Sequence, residues 1–486
     1  MKHIFLRLGV LSSVAAACLL SGFIFALARA SERPRYGGVL HVEMRAHVNS
    51  MDPRGWNPDA ADAGATERLL GLVFERLVRM NDAGQPQSAL ATTWQHDANF
   101  THWQCQLRSG VKFHDGTVLS SDVVVAALQA EDSARWAAVS VAGAGVAFEF
   151  KSPRPNLLAE LATGRSFIFR AAQDTVVGTG AFRITDWQPQ KRLELKTNED
   201  DWAGRPFVDR IEIALGVASQ QQVVDLELGK VDVIELLPAL ARRASQVSGA
   251  RVSASAPSEL WALVISPRGA SAYDPRFTQA LSLAIDRAAI VNVLLQKQGE
   301  PAGSLLPQWL SGYAFLFPAE ANVVDAKKIR AEFGTSPLQT LVYDGADPSA
   351  ALVAQRIAVN ARDAGINLSV AAETTSSNSD VRLVRWRIAA PDAREALTTF
   401  ISRLGGVQTE AALMPMDTPE QRYAAERAVL DRGRVIPVAF VPEIYGVGTS
   451  VRDWMPPKSG GWRLEDVWLE QTPRATNEAG AGTGNN

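Results

Sequence analysis

Short runs in the middle of the chain alternate between hydrophobic and polar residues. Residues 182–185, 193–196 and 211–215 each place an apolar side chain at every second position. This period is typical of β-strands with one buried face, so the three runs predict three neighbouring strands. Gly178 and Gly180 precede the first run. Because glycine adopts backbone angles that are forbidden to other residues, we expect the chain to turn sharply there.

Hydrophobic residues at helical spacing predict several α-helices. The clearest begins after Asp274, which can cap a helix, and Pro275, which suits its first turn. Its expected buried stripe is Phe277, Ala280, Leu281, Ala284 and Ile285. The same spacing predicts helices at residues 66–78, 123–130, 350–364 and 419–432. Helices and strands alternate after about residue 205, whereas residues 80–200 are richer in strands, which favours α/β lobes with a β-rich insertion.

The first 30 residues differ from the rest of the chain. Lys2 and Arg7 supply a positively charged start, residues 8–27 are almost wholly apolar, and an Ala-x-Ala site follows. This order predicts a cleaved secretory signal peptide at residues 1–30. An uncleaved membrane anchor is the alternative, because about 20 apolar residues can span a bilayer. Attachment of a lipid to Cys18 is a third option, although the apolar run continues beyond that residue.

The overall composition is that of a soluble globular protein. The 486 residues are 47% hydrophobic and 21% charged, with a net charge of −3. This length allows two or three domains at roughly 150 residues each. The lack of a basic surplus argues against nucleic acid as a partner. Cys105 alternates with glutamines, so we expect it to be a small buried strand residue rather than a nucleophile.

The sequence lacks the motifs of common catalytic sites. It contains no His-Glu-x-x-His, no Cys-x-x-Cys, no phosphate-binding loop and no Gly-x-Ser-x-Gly. All six histidines lie within the first 114 residues, so a bare metal ion could not be held by histidines from both halves of the chain. We therefore expect no enzyme, no cofactor and no protein-bound metal, although a chelated metal could still bind without histidine.

Several blocks of sequence together resemble one protein family. These blocks are YGGVL at 36–40, MDP at 51–53, LVFERLV at 72–78, WQCQLRSGVKFHDG at 103–116, GTGAFRITDWQ at 178–188 and DPRFTQALSLAIDR at 274–287. In this order and spacing they are similar to the bacterial extracellular solute-binding proteins of family 5. That family comprises the peptide- and nickel-binding receptors of ABC importers.

The resemblance implies an α/β protein with the bilobal, type II-like fold of periplasmic binding proteins and an extra β-rich domain inserted in the first lobe. The expected units are a first lobe of residues 31–57, 175–258 and 433–470, an inserted domain of residues 58–174, a second lobe of residues 259–432 and a disordered tail of residues 471–486. A solute would bind between the lobes, which close around it.

Four residues are ligand-binding candidates by their place in the family's motifs. Trp56 and Trp386 match positions that similar receptors fill with aromatic residues facing the solute. Asn57 could add a polar contact beside Trp56, and Arg165 could meet a carboxylate. Ordinary core or surface packing is the alternative for each tryptophan, and a solvated loop position is the alternative for Arg165.

The sequence departs from the family's peptide receptors just after Trp386. Those receptors often carry an acidic residue there, which holds the ammonium group of a peptide. The corresponding position in this chain is Ala389, and Asp392 fits the register poorly. Arg385 and Arg387 flank the tryptophan, which would favour an anionic or chelated solute if either faced the cleft.

The sequence as a whole predicts a periplasmic receptor of an ABC importer. We expect a monomer that binds an oligopeptide or similar small solute and docks on an inner-membrane permease with its ATPase subunits. A receptor for a nickel chelate or another small solute is one alternative. Another is an extracytoplasmic sensor or interaction protein that kept the fold, and a third, disfavoured by the missing motifs, is a secreted hydrolase.

Overall fold

The computed structural model describes the greater part of the chain. The described residues are 33–58, 60, 62–172, 175–266, 274–333, 339–345, 347–373, 380–388, 392–404, 414–456 and 462–470. The predicted signal peptide at 1–30 and the predicted disordered tail at 471–486 lie outside these residues.

The strands in chain order are β1 (Val39–Glu43), β2 (Glu75–Arg76), β3 (Val78–Met80), β4 (Pro86–Ser88), β5 (Ala91–His96), β6 (His102–Leu107), β7 (Val139–Ala142), β8 (Gly145–Glu149), β9 (Phe167–Ile168), β10 (Arg170–Ala172), β11 (Thr175–Val177), β12 (Phe182–Gln188), β13 (Arg192–Thr197), β14 (Arg210–Ala214), β15 (Val233–Leu236), β16 (Ala250–Ile265), β17 (Glu300–Pro301), β18 (Gln339–Tyr343), β19 (Leu368–Ala372), β20 (Val381–Arg387), β21 (Val435–Gly448), β22 (Val451–Arg452) and β23 (Trp468–Leu469). The three runs predicted to be strands are β12, β13 and β14, and they pair with one another as neighbours.

The α-helices are α1 (Ala63–Val73), α2 (Ser121–Glu131), α3 (Leu157–Glu160), α4 (Ser219–Glu227), α5 (Pro238–Ala244), α6 (Pro275–Ala284), α7 (Arg287–Ala289), α8 (Gln308–Ser311), α9 (Val323–Glu332), α10 (Pro348–Asp363), α11 (Ala393–Arg403) and α12 (Pro419–Asp431). Short 3₁₀ turns lie at Pro53–Gly55 and Gly164–Ser166, and a π-helical turn lies at Ile290–Leu294. The strongest helix prediction is confirmed, because the Asp274 side chain accepts a hydrogen bond from the backbone N–H of Arg276 at the start of α6.

One large sheet connects two lobes. Its strand order is β12-β13-β14-β1-β15-β21-β16-β20-β18-β19, with β17 paired to β21 at the side. We call the part built on β1 and β12–β15 the first lobe and the part built on β18–β20 the second lobe. In the second lobe, Val353, Ile357 and Ala361 of α10 are buried in one core, whereas Leu397 and Phe400 of α11 are buried in another.

Two long strands, β16 and β21, pass through both lobes and pair with each other along their length. Their regular register breaks between Ala254 and Glu259, where Pro257 lies opposite Pro442. Proline has no backbone N–H, so the ladder loses hydrogen bonds at this point. The ladder between β16 and β21 is therefore least regular at this point.

The β-rich part of the chain forms a separate four-stranded sheet in the order β5-β6-β8-β7. Its buried residues Cys105 and Phe148 nevertheless belong to the same apolar cluster as Leu40 and Ile211 of the first lobe. This segment therefore shares a core with the lobe. The predicted inserted domain is not confirmed as a separate unit, and the predicted domain boundaries stay a prediction.

The turn before β12 is confirmed, but the reason we expected for its glycines is wrong. Neither Gly178 nor Gly180 has a positive φ. A Cβ at Gly178 would lie 2.0 Å from the carbonyl oxygen of Val73, and one at Gly180 would lie 2.7 Å from its carbonyl carbon. Close approach to the end of α1 therefore requires glycine. His114 completes the contact by donating from Nε2 to the carbonyl oxygen of Gly180 over 2.9 Å.

The helix predicted at 66–78 is shorter than expected and begins earlier. It spans Ala63–Val73, because Glu75 and Arg76 leave the helix to pair with Ile168 and Phe167. Long-range strand pairing thus overrides a local helical pattern. Among the described residues, no single helix has the length and apolar character needed to cross a membrane; α6 taken together with Arg287–Leu294, at an angle of 50°, meets the length and composition criteria only as a bent pair.

Candidate functional site

A cavity of about 350 Å³ lies between the lobes. The first lobe and its β-rich part contribute Trp56, Pro58, Arg135, Thr163 and Arg165 to the lining. The second lobe contributes Arg387 and a face of α11 that includes Glu395, Thr399, Phe400 and Arg403. Two of the four predicted ligand-binding residues, Trp56 and Arg165, thus line one cavity.

Trp56 is held at the cavity wall by the 3₁₀ turn that precedes it. Asp52 caps this turn by accepting a hydrogen bond from the N–H of Arg54 over 3.0 Å. The indole Nε1 donates to the carbonyl oxygen of Ala63 over 3.1 Å, which fixes the ring against the start of α1. A Cβ at Gly164 would lie 2.9 Å from the indole, so glycine lets the next turn pack directly on the ring.

Arg165 follows that glycine at the cavity wall. Its backbone carbonyl oxygen accepts a hydrogen bond from Trp136 Nε1 over 3.4 Å. Its guanidinium makes no hydrogen bond or ion pair with the part of the chain that the structure describes. Glu131, a nearby acid, has its pKa raised to about 8 by burial, against the opposing effect of Arg135 and Arg165. A guanidinium in this position can bind a carboxylate.

Arg387 lines the cavity, but its positive charge is balanced by Glu67 of the other lobe. Its Nη1 donates to Glu67 Oε2 of α1, and Arg76 donates to the other oxygen of Glu67 over 2.8 Å. The aliphatic part of Arg387 lies against Gly64, where a Cβ would be 3.0 Å from its Cδ. The pair joins the two lobes at one end of the cavity.

A second ion pair joins the lobes at Arg135. Its Nη2 lies 3.0 Å from Glu160 Oε2 in the first lobe and 3.8 Å from Glu395 Oε1 in the second. Burial, followed by repulsion from Glu160, raises the pKa of Glu395. Cross-lobe contacts of opposite charge therefore occur at two positions along the cavity wall.

The other two predicted residues lie beside the lining rather than in it. Trp386 is 8% exposed and stacks on Phe400, with ring centroids 5.6 Å apart. Phe400 lines the cavity, so the tryptophan supports an aromatic wall from behind. Asn57 is exposed, and its carbonyl oxygen accepts a hydrogen bond from the N–H of Ala60 over 3.2 Å.

The region after Trp386 contains the residue that sequence reasoning missed. Ala389 lies outside the described residues, and Asp392 caps α11 by accepting a hydrogen bond from the N–H of Glu395 over 2.8 Å. Glu395 itself lines the cavity. The Asp-x-x-Glu spacing predicts a helix start, but it does not predict which side chain faces the other lobe.

Arg385 is engaged away from the cavity lining. Its Nε and Nη2 donate to Glu259 over 2.7 and 2.8 Å, and its guanidinium lies 5.2 Å from the ring centroid of Trp261. Of the two arginines that flank Trp386, only Arg387 is among the residues that line the cavity. No group of three or more His, Cys, Asp or Glu side chains among the described residues could hold a metal ion.

Comparison with protein families places most of the chain in one of them. Residues 85–406 match the family described as bacterial extracellular solute-binding proteins, family 5 Middle. Among curated proteins, the chain is 24% identical over 323 residues to the nickel-binding protein NikA of Staphylococcus aureus, a match that covers 61% of this chain and 64% of NikA. It is 21% identical over 340 residues to the oligopeptide-binding protein AppA of Bacillus subtilis, covering 63% of this chain and 61% of AppA. The matches thus span about three-fifths of these relatives' lengths.

Solved structures share the fold over nearly the whole chain. NikA of Staphylococcus aureus, in complex with Ni(L-His)2, superimposes with a TM-score of 0.75 at 18% identity, covering 89% of this chain and 100% of that one. AppA of Bacillus subtilis, in complex with a nonapeptide, gives a TM-score of 0.73 at 16% identity, covering 90% of this chain and 100% of that one. At these identities the likeness shows the fold, and it confirms the predicted bilobal α/β architecture.

Proposed function

Because the chain belongs to the bacterial extracellular solute-binding proteins of family 5, we propose that it is the solute receptor of an ABC importer. It binds a peptide-like solute between its lobes, outside the cytoplasm, and delivers it to a membrane permease that works with ATPase subunits. Relatives named for binding nickel and oligopeptides support a binding protein rather than an enzyme.

The observation that carries this proposal is the composition of the cavity from both lobes. Trp56 stands on one side and Phe400 on the other. A solute that touches both aromatic rings makes its full set of contacts only when the lobes are together, so its binding favours the closed state. In this proposal the lobes rotate about the break in the β16–β21 ladder, where Pro257 lies opposite Pro442.

The volume of the cavity favours a small solute. Ligand pockets range from about 300 to 1,000 Å³, and this cavity of about 350 Å³ lies near the lower limit. A dipeptide or tripeptide is better matched to this space than a long oligopeptide. Arg165 would bind the carboxylate of such a solute, and Trp56 would pack on it. Trp386 would act through Phe400, and Asn57 would add a polar contact at the edge.

The test is a thermal-shift screen of the purified protein against amino acids, short peptides, nickel–histidine complexes and small organic acids. We expect a short peptide to raise the melting temperature and to compact the protein in small-angle X-ray scattering. Arg165→Gln should weaken binding about tenfold, because a charge-assisted hydrogen bond contributes about 1.5–3 kcal/mol.

Arg242→Gln is the matched control, because Arg242 is exposed on α5 and is not among the residues that line the cavity. The affinity of this variant for the peptide should equal that of the wild type. If no solute class shifts the melting temperature, the receptor function is wrong.

A further inference from the structure

Glu395 brings a second carboxylate to a contact between the lobes that already contains one. It lies in the first turn of α11, where its backbone N–H donates to the side chain of Asp392 over 2.8 Å. Arg135 Nη2 lies 3.0 Å from Glu160 Oε2 of the first lobe and 3.8 Å from Glu395 Oε1 of the second. Two acids from opposite lobes therefore approach the same guanidinium nitrogen.

The cations at this contact are already engaged by Glu160. Arg135 and Arg154 both donate to Glu160 Oε2, over 3.0 and 2.9 Å. The separation of 3.8 Å between Arg135 and Glu395 is too long for a hydrogen bond. Among the described residues, no donor reaches the carboxylate of Glu395. Because Glu160 and both arginines belong to the first lobe with its β-rich part, they stay together when the lobes separate.

Contact between the lobes makes the negative charge of Glu395 costly. The side chain is 22% exposed in this arrangement, whereas water would solvate it if the lobes were apart. Burial, followed by repulsion from Glu160, raises the pKa of Glu395. Arg135 and Arg154 oppose this rise, and Asp392 adds to it.

The other charged side chains of the cavity lining are cations as well: Arg165, Arg387 and Arg403. Positive charge favours the ionised form of a carboxyl group, whereas burial disfavours it. For Glu395 the effect of burial is the largest. A proton on this carboxyl would remove the repulsion from Glu160 and reduce the cost of burial.

We propose that Glu395 takes up a proton when the lobes close, so that closing is easier in mildly acidic surroundings. Lobe closure is part of the proposed receptor function, on which this inference rests, but no particular solute is required. With the lobes apart, Glu395 is a solvated acid with an ordinary pKa of 4.5. The closed form binds the proton more tightly than the open form, so closing becomes more favourable as the pH falls toward that value. One proton changes the closing equilibrium by at most about tenfold per pH unit.

A simple salt bridge makes the opposite prediction. If Glu395 served to hold the lobes together through Arg135, acid would protonate the carboxylate, break the pair and open the protein. Replacing Glu395 with glutamine would open it too. The two roles therefore differ in the sign of the pH effect, and not only in its size.

The experiment is small-angle X-ray scattering of the full chain, without added solute, at pH 7.5 and pH 5. We expect the ratio of closed to open molecules to rise at least about threefold at pH 5, seen as a smaller radius of gyration. Glu395→Gln is neutral at both pH values and similar in size to the protonated acid. This variant should be as compact at pH 7.5 as the wild type is at pH 5, with no further change on acidification. Glu420→Gln, the same change in the exposed first turn of α12, should behave as the wild type.

A wild type that expands or keeps its radius between pH 7.5 and pH 5 would overturn the inference, and this measurement needs no variant. A Glu395→Gln protein that keeps the pH dependence of the wild type, or is more open at pH 7.5, would overturn it as well. The thermal-shift screen tests the receptor function separately. If a solute binds but acid does not compact the protein, only the role of Glu395 is wrong; if acid compacts the protein but no solute binds, only the receptor function is wrong.

Discussion

At the scale of single residues, several acids are buried where their charge is disfavoured, and Glu426 is the clearest. Its side chain is fully buried between α12 and the segment before α8. Tyr313 Oη donates to Glu426 Oε2 over 2.6 Å, and the backbone N–H of Leu305 donates to the other oxygen. Burial raises the pKa of Glu426 from 4.5 to about 7, although these hydrogen bonds oppose the shift.

This raised pKa makes the stability of the second lobe depend on pH. Between pH 4.5 and 7 the folded state binds the Glu426 proton more tightly than the unfolded state, so this contribution to stability falls as the pH rises. The full effect is about 3 kcal/mol. In Glu426→Gln, the amide oxygen can still accept from Leu305 and the NH2 group can donate to Tyr313 Oη, so the site stays paired but no longer titrates. We expect the free energy of unfolding of this variant to fall by roughly 1–3 kcal/mol less than that of the wild type between pH 5 and 7.5.

Urea denaturation at the two pH values measures this difference. Glu420→Gln is the control, because the pKa of exposed Glu420 is lowered and it does not titrate in this range. An unchanged pH dependence in Glu426→Gln would show that the carboxyl is not the titrating group.

The candidate site could be predicted only in part at this scale. Trp56 and Arg165, predicted from their place in the family's motifs, both line the cavity, and their contact with a solute stays a prediction. Glu395 could not be found in this way, because its place opposite Arg135 depends on how two lobes meet, and that contact spans 260 positions in the chain.

At the scale of elements, the contact between the end of α1 and the turn before β12 holds the first lobe together. The backbone N–H of Gly180 donates to the carbonyl oxygen of Val73 over 2.9 Å. Between the two glycines, Thr179 donates to Glu75 over 2.8 Å. The backbone of the turn therefore lies directly against the end of α1, with no room for a side chain at Gly178 or Gly180.

Gly178→Ala should destabilise the protein strongly. Its Cβ would lie 2.0 Å from the carbonyl oxygen of Val73, so the backbone must shift. We expect a loss of about 3 kcal/mol, at the upper end of the cost of overpacking. Gly71→Ala is the matched control within α1, because a Cβ there would meet nothing within 4 Å.

Gly71→Ala should instead raise the free energy of unfolding by about 0.5–1 kcal/mol, because glycine weakens a helix. Thermal and chemical unfolding of the two variants provides the comparison. A near-neutral effect of Gly178→Ala would show that the turn is not tightly packed against α1 in solution.

Element prediction succeeded where one face of an element is buried throughout and failed where burial changes along the chain. The hydrophobic pattern around α6 is sufficient to predict the helix, because Phe277, Ala280, Leu281 and Ile285 pack in the same core. For β16 and β21, the sequence pattern predicts strands only at residues 263–265 and 435–440, whereas the strands span Ala250–Ile265 and Val435–Gly448. Near Pro257 and Pro442, both strands pass from one hydrophobic core to another. The buried side changes there, so apolar and polar residues do not alternate regularly along the whole strand.

At the scale of the whole molecule, charges at the cavity wall contribute to the arrangement of the lobes. Glu67 forms ion pairs with Arg76 of its own lobe and with Arg387 of the other lobe. The Glu67 side chain is 9% exposed and that of Arg387 is 21% exposed. A pair this sheltered is screened less by salt than a surface pair.

Arg387→Gln should shift the protein toward an open form. Glu67 keeps its bond to Arg76 over 2.8 Å, so no buried acid is left unpaired. We expect a larger radius of gyration in small-angle X-ray scattering without added solute. Scattering is preferred over affinity as the readout, because Arg387 also lines the cavity.

Arg243→Gln is the control, because it breaks a pair of 3.0 Å with Glu227 inside the first lobe. This variant should scatter as the wild type does. If Arg387→Gln also scatters as the wild type does, the cross-lobe pair does not determine the opening of the lobes.

The position of β21 in the large sheet also sets the order in which the protein can fold. This strand, Val435–Gly448, lies between β15 and β16 in the sheet, yet it is made after both. While the ribosome extends the chain, both neighbouring strands keep an open edge, and neither lobe can complete its sheet. The chain therefore stays short of its native state until β21 has been made. Such a delay suits a polypeptide that passes through a membrane before it folds, and it means that truncation before residue 435 disables both lobes at once.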